Sequence, residues 1–366
     1  MKSWPLLGVA VVAAILLLAH EFVGWVWLSF AGTPHSSSVL YIALAIAALS
    51  FPLAALGAHG SLHPVTRAFY FVASLWLGFV NFFFWAALGC IVTAGFAHLL
   101  HVPLHRPLLA ELFYGAAILI SLAGLLNAQR IHVRQVIVKL EHLPETWRGR
   151  RALLLSDVHL GHINGPRFAR RLAKLANQLE PAIVFLPGDL FDGVKVDPAR
   201  WAAPLARIKA HLGVYFSTGN HDVYGGAEAY RRALGLLGIR VLDNECRTVE
   251  GMQIAAISYD ANFPIQMQKM LDGFALDHAK PSILLSHVPN RLPQIEQAGV
   301  SLLLSGHTHG GQIVPFTWIT RRIFGRHTSG LSRFGSLQVY TSTGVGTWGP
   351  PMRIGSSSEV VMLHFV

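Results

Sequence analysis

Five short clusters along this chain carry donor atoms suited to divalent cations. Asp157 and His159 stand two residues apart after the apolar run Leu153–Leu155. Asp189 follows Val184, Phe185, Leu186, Pro187 and Gly188. Gly219, Asn220, His221 and Asp222 are consecutive. His287 closes the run Ile283–Ser286, and His307 and His309 flank Thr308 after Gly306. Each cluster follows a run that reads as a buried strand. In α/β sheets the residues just past the carboxyl ends of strands gather at one edge, where ligands bind. Carboxylate, amide and imidazole donors brought together there can hold two cations that activate water and clamp an oxyanion. Taken singly, Asp-x-His and Gly-Asp are commonplace in loops, and a lone histidine is usually a packed one. Asn220 offers a hard neutral oxygen, a carboxylate at 189 can bridge two cations, and His221 is free to face a substrate with Asp222 orienting it.

The elements that must position these clusters occupy the chain from about residue 131 onward. Strands are predicted at Gln135–Leu140, Ala152–Ser156, Ala182–Leu186, Val214–Ser217, Gln253–Ser258, Ile283–Ser286, Leu302–Leu304, Leu337–Thr341 and Glu359–Phe365. Helices are predicted at Pro166–Leu179, Pro198–His211, Ala227–Leu237, Phe263–Gly273 and Arg291–Ala298, with Pro166 and Pro198 suited to first-turn positions. The alternation implies a largely parallel core. The closely spaced late strands suggest a second, partly antiparallel sheet.

The first 126 residues are of another kind, with Lys2, Glu21, Arg67, Arg106 and Glu111 their only aspartate, glutamate, lysine or arginine side chains. Four apolar stretches, Pro5–Leu28, Val39–Leu56, Ala68–Leu99 and Leu108–Leu126, approach or exceed the roughly 20 residues that cross a bilayer. The first is too long for a signal-peptide core and three more follow, so it reads as a retained span. Pro5, Pro34, Pro64, Pro103 and Pro107 fall near the boundaries, and Trp25, Trp27 and Tyr41 near proposed membrane surfaces. Lys2, Arg67 and the arginine-rich segment Arg130–Arg151 fall on one side of a four-span arrangement, which the positive-inside rule makes cytoplasmic. The chain thus divides into a transmembrane region (1–128), a linker with a first strand (129–150) and a catalytic domain (151–366).

The net charge of +10 does not signal nucleic acid, since no basic run interleaves with aromatic residues. A basic domain tethered beside anionic lipid explains it. The 2 cysteines, Cys90 and Cys246, have no metal-ligand spacing.

The ordered set Asp157/His159, Gly188/Asp189, Gly219–Asp222, His287 and Gly306–His309 resembles the calcineurin-like metallophosphoesterases. Around Leu153–Gly161 and Gly306–Ile313 it is most similar to their membrane-attached bacterial branch. The resemblance covers residues 131–366 and leaves the four spans outside it. It implies a four-layer αββα sandwich and a centre of two divalent metals, manganese, iron or zinc. One metal would be held by Asp157, His159, Asp189 and His309, the other by Asp189, Asn220, His287 and His307. His221 would stabilise the transition state or protonate the leaving oxygen, with Asp222 fixing its tautomer. Asp192 is a candidate to orient a ligand, or else a turn cap.

Phosphate chemistry leaves the rest of the substrate open. Val314–Arg326 mixes aromatic, aliphatic and arginine side chains directly after the Gly-His-Thr-His turn. As an apolar-basic loop it would offer Trp318, Arg321, Arg322 and Phe324 to an amphiphilic phosphate ester. The competing reading is a β-excursion packed on the core. The leading expectation is hydrolysis of a phosphodiester or pyrophosphate bond in a lipid-linked substrate. UDP-2,3-diacylglucosamine is a candidate, because related enzymes of the superfamily cleave it. The alternatives are a phosphodiesterase for soluble nucleotides with the spans as anchor, a non-catalytic membrane adaptor, and a transporter. The last is disfavoured because Glu21 and Glu111 are the only acidic residues in the spans.

Overall fold

The computed structural model describes residues 4–32, 38–58 and 62–366; Lys2 and Pro34 lie outside them. The chain divides into two units, residues 1–126 with 349–352, and residues 127–348 with 353–366.

The first unit is helical: α1 (Trp4–Ala31), α2 (Ser38–Ala58), α3 (Pro64–Leu99) and α4 (Arg106–Gln129). All 4 helices are long and apolar enough to cross a membrane. Small and apolar side chains such as Val26, Ala73, Ala87, Cys90 and Ala117 are buried between them. Larger ones such as Leu18, Ile46, Val72 and Leu119 face outward. That inversion suits lipid, where close helix packing rather than burial of large side chains holds a bundle together. Several of the polar groups inside are partnered: Trp76 Nε1 donates to His20 Nε2 at 2.7 Å, and the Tyr114 hydroxyl donates to the Val23 carbonyl at 2.8 Å.

The second unit is built on two six-stranded sheets. Its strands are β1 (Ile131–Val138), β2 (Arg151–Leu154), β3 (Ile183–Pro187), β4 (Val214–Ser217), β5 (Arg240–Val241), β6 (Glu245–Val249), β7 (Met252–Ile257), β8 (Ser282–Ser286), β9 (Leu302–Ser305), β10 (Gly330–Phe334), β11 (Leu337–Thr341) and β12 (Ser358–Phe365). Its helices are α5 (Pro166–Leu179), α6 (Pro198–Ala202), α7 (Asn220–Leu236), α8 (Pro264–Gly273), α9 (Leu292–Gln297) and α10 (Phe316–Phe324). One sheet has the order β1-β12-β2-β3-β4-β5, the other β10-β11-β9-β8-β7-β6. β2, β3 and β4 run parallel, as do β7, β8, β9 and β11. Antiparallel pairs occur only where β12 meets β2 and at the hairpins β6–β7 and β10–β11.

The two-residue period of strands decides the layering. Ile254, Ala256, Ile283, Leu285, Leu302 and Leu304 pack with Leu154, Ile183, Phe185 and Tyr215 of the other sheet in a shared core. The alternate residues Ala255, Ile257, Leu284 and Leu303 pack instead with Met267 and Leu271 of α8 and Leu292 and Ile295 of α9. The result is the expected αββα sandwich. Its central strands are buried on both faces, so they read as unbroken apolar runs.

Three expectations need correction. The helix predicted over Pro198–His211 stops at Ala202, and only a 3-10 turn, Leu205–Arg207, follows Pro204. Ala203 still has helical backbone, but Pro204 has no N–H with which to continue the hydrogen-bond ladder. The Gly219–Asp222 cluster lies on a helix rather than ahead of one, because α7 begins at Asn220 and runs through a kink at Gly226. The Val314–Arg326 segment is neither loop nor β-excursion: Phe316–Phe324 forms α10, with none of its side chains buried.

Candidate metal centre

The ligand clusters sit where β2, β3, β4, β8 and β9 end, and the backbone there is unusual. Asp157, His159, Asp189, His307 and His309 all have φ between 50° and 69°. Left-handed backbone is uncommon for residues with a Cβ, and such strain concentrates at functional sites. It turns each side chain sharply off its strand toward the same point. Gly188 makes the β3 turn possible: at φ 96° a Cβ would lie 2.6 Å from both the Gly219 nitrogen and His287 Nδ1.

The turns bring the predicted residues together in overlapping groups. Asp157, His159 and His309 form one, and Asp189, His287 and His307 another, with donor atoms within 4.8 Å of one another in each. Asp189 lies between them, its Oδ2 3.0 Å from His287 Nε2 and 3.8 Å from His159 Nε2. Asn220 joins the second group, with Oδ1 3.0 Å from His307 Nδ1. His221 groups with His159 and Asp189. Its backbone N–H donates to Asp189 Oδ1 at 2.9 Å, and its ring packs against Trp348 with centroids 5.6 Å apart.

Proton accounting tests whether cations fit. His287 Nδ1 lies 2.8 Å from the Pro187 carbonyl, which can only accept, so Nδ1 carries the proton. In the neutral ring Nε2 is then an electron pair aimed at the Asp189 carboxylate, and it has no hydrogen-bond partner. His159 repeats the pattern. Its Nδ1 donates to Asp192 Oδ1 at 3.1 Å, leaving Nε2 facing His309 Nε2 at 3.0 Å. Two imidazole nitrogens each bound about 2.0–2.1 Å from one cation lie about 3 Å apart. A cation bound there would take the place of the protons that these buried nitrogens otherwise share with each other and with Asp189.

The electrostatics agree. Burial opposes ionisation of His287, yet Asp189 and Asp157 raise it to about 9, putting positive charge where a cation would supply it. Burial would raise Asp189, but His287, His159 and His221 hold it well below the usual carboxylate range. Burial lowers His307 to about 4, helped by His287, and holds His309 well below the usual imidazole value, helped by His159 and Arg353. Both rings are therefore neutral, as a metal ligand must be.

Asp222 departs from expectation. Its carboxylate accepts from the backbone N–H groups of Gly219 at 2.8 Å and Phe191 at 2.9 Å, closing a capping box at the start of α7. It does not reach the His221 ring. The acidic residue at the third helical position was a readable signal for this. The carboxylate within 4 Å of the His221 ring is that of Asp192, with Oδ1 3.8 Å from Nδ1. Of the proposed substrate contacts, Trp318, Arg321 and Arg322 are exposed on α10, and the Phe324 ring lies 6.3 Å from that of His307. Arg353 falls in a segment, Trp348–Arg353, that the sequence offers only as a border of the site; its contact with a ligand candidate was not foreseen. It is fully buried and bonds to His309.

The family model for calcineurin-like phosphoesterases matches residues 150–311, a span that holds every one of these ligand positions. This chain carries a calcineurin-like phosphoesterase domain. A Danio rerio transmembrane protein with a metallophosphoesterase domain is 37% identical over 66% of this chain and 59% of its own length. A Bos taurus protein of the same description is 32% identical over 70% of this chain and 62% of its own length. An uncharacterized metallophosphoesterase of Helicobacter pylori is 32% identical over 58% of this chain and 59% of its own length. The chain thus spans about three fifths of these relatives. They come from animals as well as bacteria, so the likeness of the phosphoesterase domain is not confined to a bacterial branch. The family implies a centre of two divalent metals, for which the two donor groups sharing Asp189 are the candidates.

Proposed function

We propose that this protein is a membrane-bound phosphoesterase that hydrolyses a phosphodiester or pyrophosphate bond in a lipid-linked substrate. The observation that carries the hydrolytic reading is the pair of donor groups meeting at Asp189. Asp157, His159, Asp189 and His309 would hold one cation, and Asp189, Asn220, His287 and His307 the other. Two divalent cations supply Lewis acidity and a nucleophile from water at neutral pH. Manganese, iron and zinc all suit this thiolate-free donor set. The chain's own residues do the rest. Asp192 holds His159 by its Nδ1. Pro187 holds His287 by its carbonyl. His221, partly exposed beside the cluster, is placed to donate a proton to a leaving oxygen or to stabilise charge on the phosphoryl group. An intact donor set with a neighbouring acid argues against a non-catalytic adaptor.

The lipid part of the reading rests on α10. Phe316, Ile319 and Ile323 recur at helical spacing and are exposed, as is Trp318, while Arg321, Arg322 and Arg326 accompany them. A short helix with outward apolar side chains and arginines suits the boundary of an anionic bilayer or an amphiphilic phosphate. UDP-2,3-diacylglucosamine is one substrate with that chemistry. Hydrolysis by the purified full chain in detergent, compared between a lipid-linked pyrophosphate and a small soluble phosphodiester, tests the assignment. Replacing Trp318, Ile319, Ile323 and Phe324 by serine should raise the apparent Michaelis constant for the lipid substrate alone. The expected weakening is about 1.5–3 kcal/mol for each side chain wholly withdrawn from water on binding. Equal loss on both substrates in a folded variant favours soluble nucleotides, with the helices as anchor.

We also place the phosphoesterase domain on the cytoplasmic face of the inner membrane, on the strength of the basic residues between Arg130 and Arg151. A fluorescent reporter that matures only in the cytoplasm should therefore light up when fused after Val366. Activity of an alkaline phosphatase fused there would reverse the topology.

A further inference from the structure

Arg353 is a fully buried guanidinium with no carboxylate paired to it among the described residues. A buried charge costs several kcal/mol unless hydrogen bonds replace its water. Here they go to the His309 turn, to Ser356 and to the loop of Gly344 and Gly346, while Nε has no partner among the described residues. Nη1 donates to the His309 carbonyl at 3.1 Å and to Ser356 Oγ at 3.2 Å. Nη2 donates to the carbonyls of Gly344 at 3.1 Å and Gly346 at 2.6 Å, and lies 3.3 Å from His309 Nδ1.

The loop it grips is the seat of Asp157. Val345 N donates to the Ser156 carbonyl at 3.0 Å, and Gly346 N donates to the Asp157 carbonyl at 2.8 Å. Gly344 comes so close that a Cβ there would fall 2.7 Å from Asp157 Cβ. Arg353 therefore ties the turn bearing His309 to the loop bracing Asp157. These two ligand candidates belong to the same donor group. None of its hydrogen bonds goes to His287, His307 or Asn220 of the other group. We propose that Arg353 is a positioning residue for one metal position of the pair, the one bounded by Asp157, His159 and His309. The planar guanidinium suits the task because it donates along several fixed directions at once; a lysine in its place would act from a single point.

This inference rests on the two-metal reading, which the metal content of the unaltered full-length protein tests alone. Arg353→Met and Arg353→Lys would then be dialysed against rising Mn²⁺, with bound metal counted and folding followed by circular dichroism. Groups that hold metal ligands in place are worth 10–100-fold in metal affinity. Arg353→Met should bind one metal with unchanged affinity and the other about 10–100-fold more weakly, with Arg353→Lys in between. In a His309→Ala background, Arg353→Met should change nothing further. In a His287→Ala background it should weaken the metal that remains. Two metals bound with unaltered affinity would overturn the proposal. So would parallel weakening of both, which is what mere support of the domain predicts. Should Arg353→Met fail to fold, Arg353→Lys in the two backgrounds decides the same question.

Discussion

Asp189→Asn should strip the protein of both metals. Its carboxylate faces His287 at 3.0 Å and His159 at 3.8 Å, so it touches both donor groups, and the amide that replaces it carries no charge. Asp157 lies 3.5 Å from His309 and 3.9 Å from His287 but shares a donor group only with His159 and His309, so Asp157→Asn should weaken chiefly that group. Elemental analysis of chelator-free preparations should find close to two metals per chain in the unaltered protein, about one in Asp157→Asn and fewer in Asp189→Asn. Losing about 4 kcal/mol of Lewis-acid stabilisation lowers turnover roughly 10³-fold, so Asp189→Asn should fall at least that far. Full metal content in Asp189→Asn would remove it from the bridging position.

The second large effect is expected at His221. Substitution by alanine should leave both metals bound and lower turnover ~10²–10⁴-fold, the usual worth of a positioned acid. The loss should be greatest for substrates with poor leaving groups, which depend most on protonation. The test also decides between two placements of the ring. His221 shares a 4.8 Å group with His159 and Asp189, so it could serve as a ligand. Yet its side chain remains 14% exposed, beneath Trp348 and toward solvent. Loss of one metal in a folded His221→Ala protein would make it a ligand. Near-normal rates on a poor leaving group would remove it from the chemistry.

The strands that hold the site were legible because burial leaves a plain mark. β4 and β11 lie where the apolar runs place them, and β2, β3, β7, β8, β9 and β12 differ by a residue or two at their ends. β5, β6 and β10 left no such mark. β5 is two residues long, and Glu245–Val249 and Gly330–Phe334 are edge strands of exposed and half-buried residues without an apolar run. The strand foreseen at Gln135–Leu140 starts earlier, at Ile131, for the same reason. α10 was missed because its apolar side chains serve no core, and apolar periodicity is read as core by default. In the site, residue type and position past a strand were enough to find the residues that converge. Asp192 stood out as an orienting candidate, but which ligand it holds, and the other orienting partners, were not visible. Asp192 reaches His159 across 33 positions, Arg353 reaches His309 across 44, and Asp222 turned inward to its own helix cap. Such contacts are set by tertiary packing, which spacing along the chain does not encode.

The pairing of β1 with β12 constrains how the protein is made. β1 starts two residues after α4 ends, and its one neighbour in the sheet is β12, whose register joins Ile131 to Ser358. Synthesis runs from the amino terminus, so the apolar helices leave the ribosome long before that partner strand exists. For the whole time that the residues between them are being translated, β1 is an unpaired edge. It bears His132, Arg134 and Gln135 among its exposed or half-buried positions, the kind of polar side chains that keep an open edge from recruiting the wrong strand. Sheet closure therefore has to wait for Ser358–Phe365, long after the apolar helices have left the ribosome. A ribosome stalled before Ser358 would leave an inserted protein whose first sheet lacks the strand between β1 and β2.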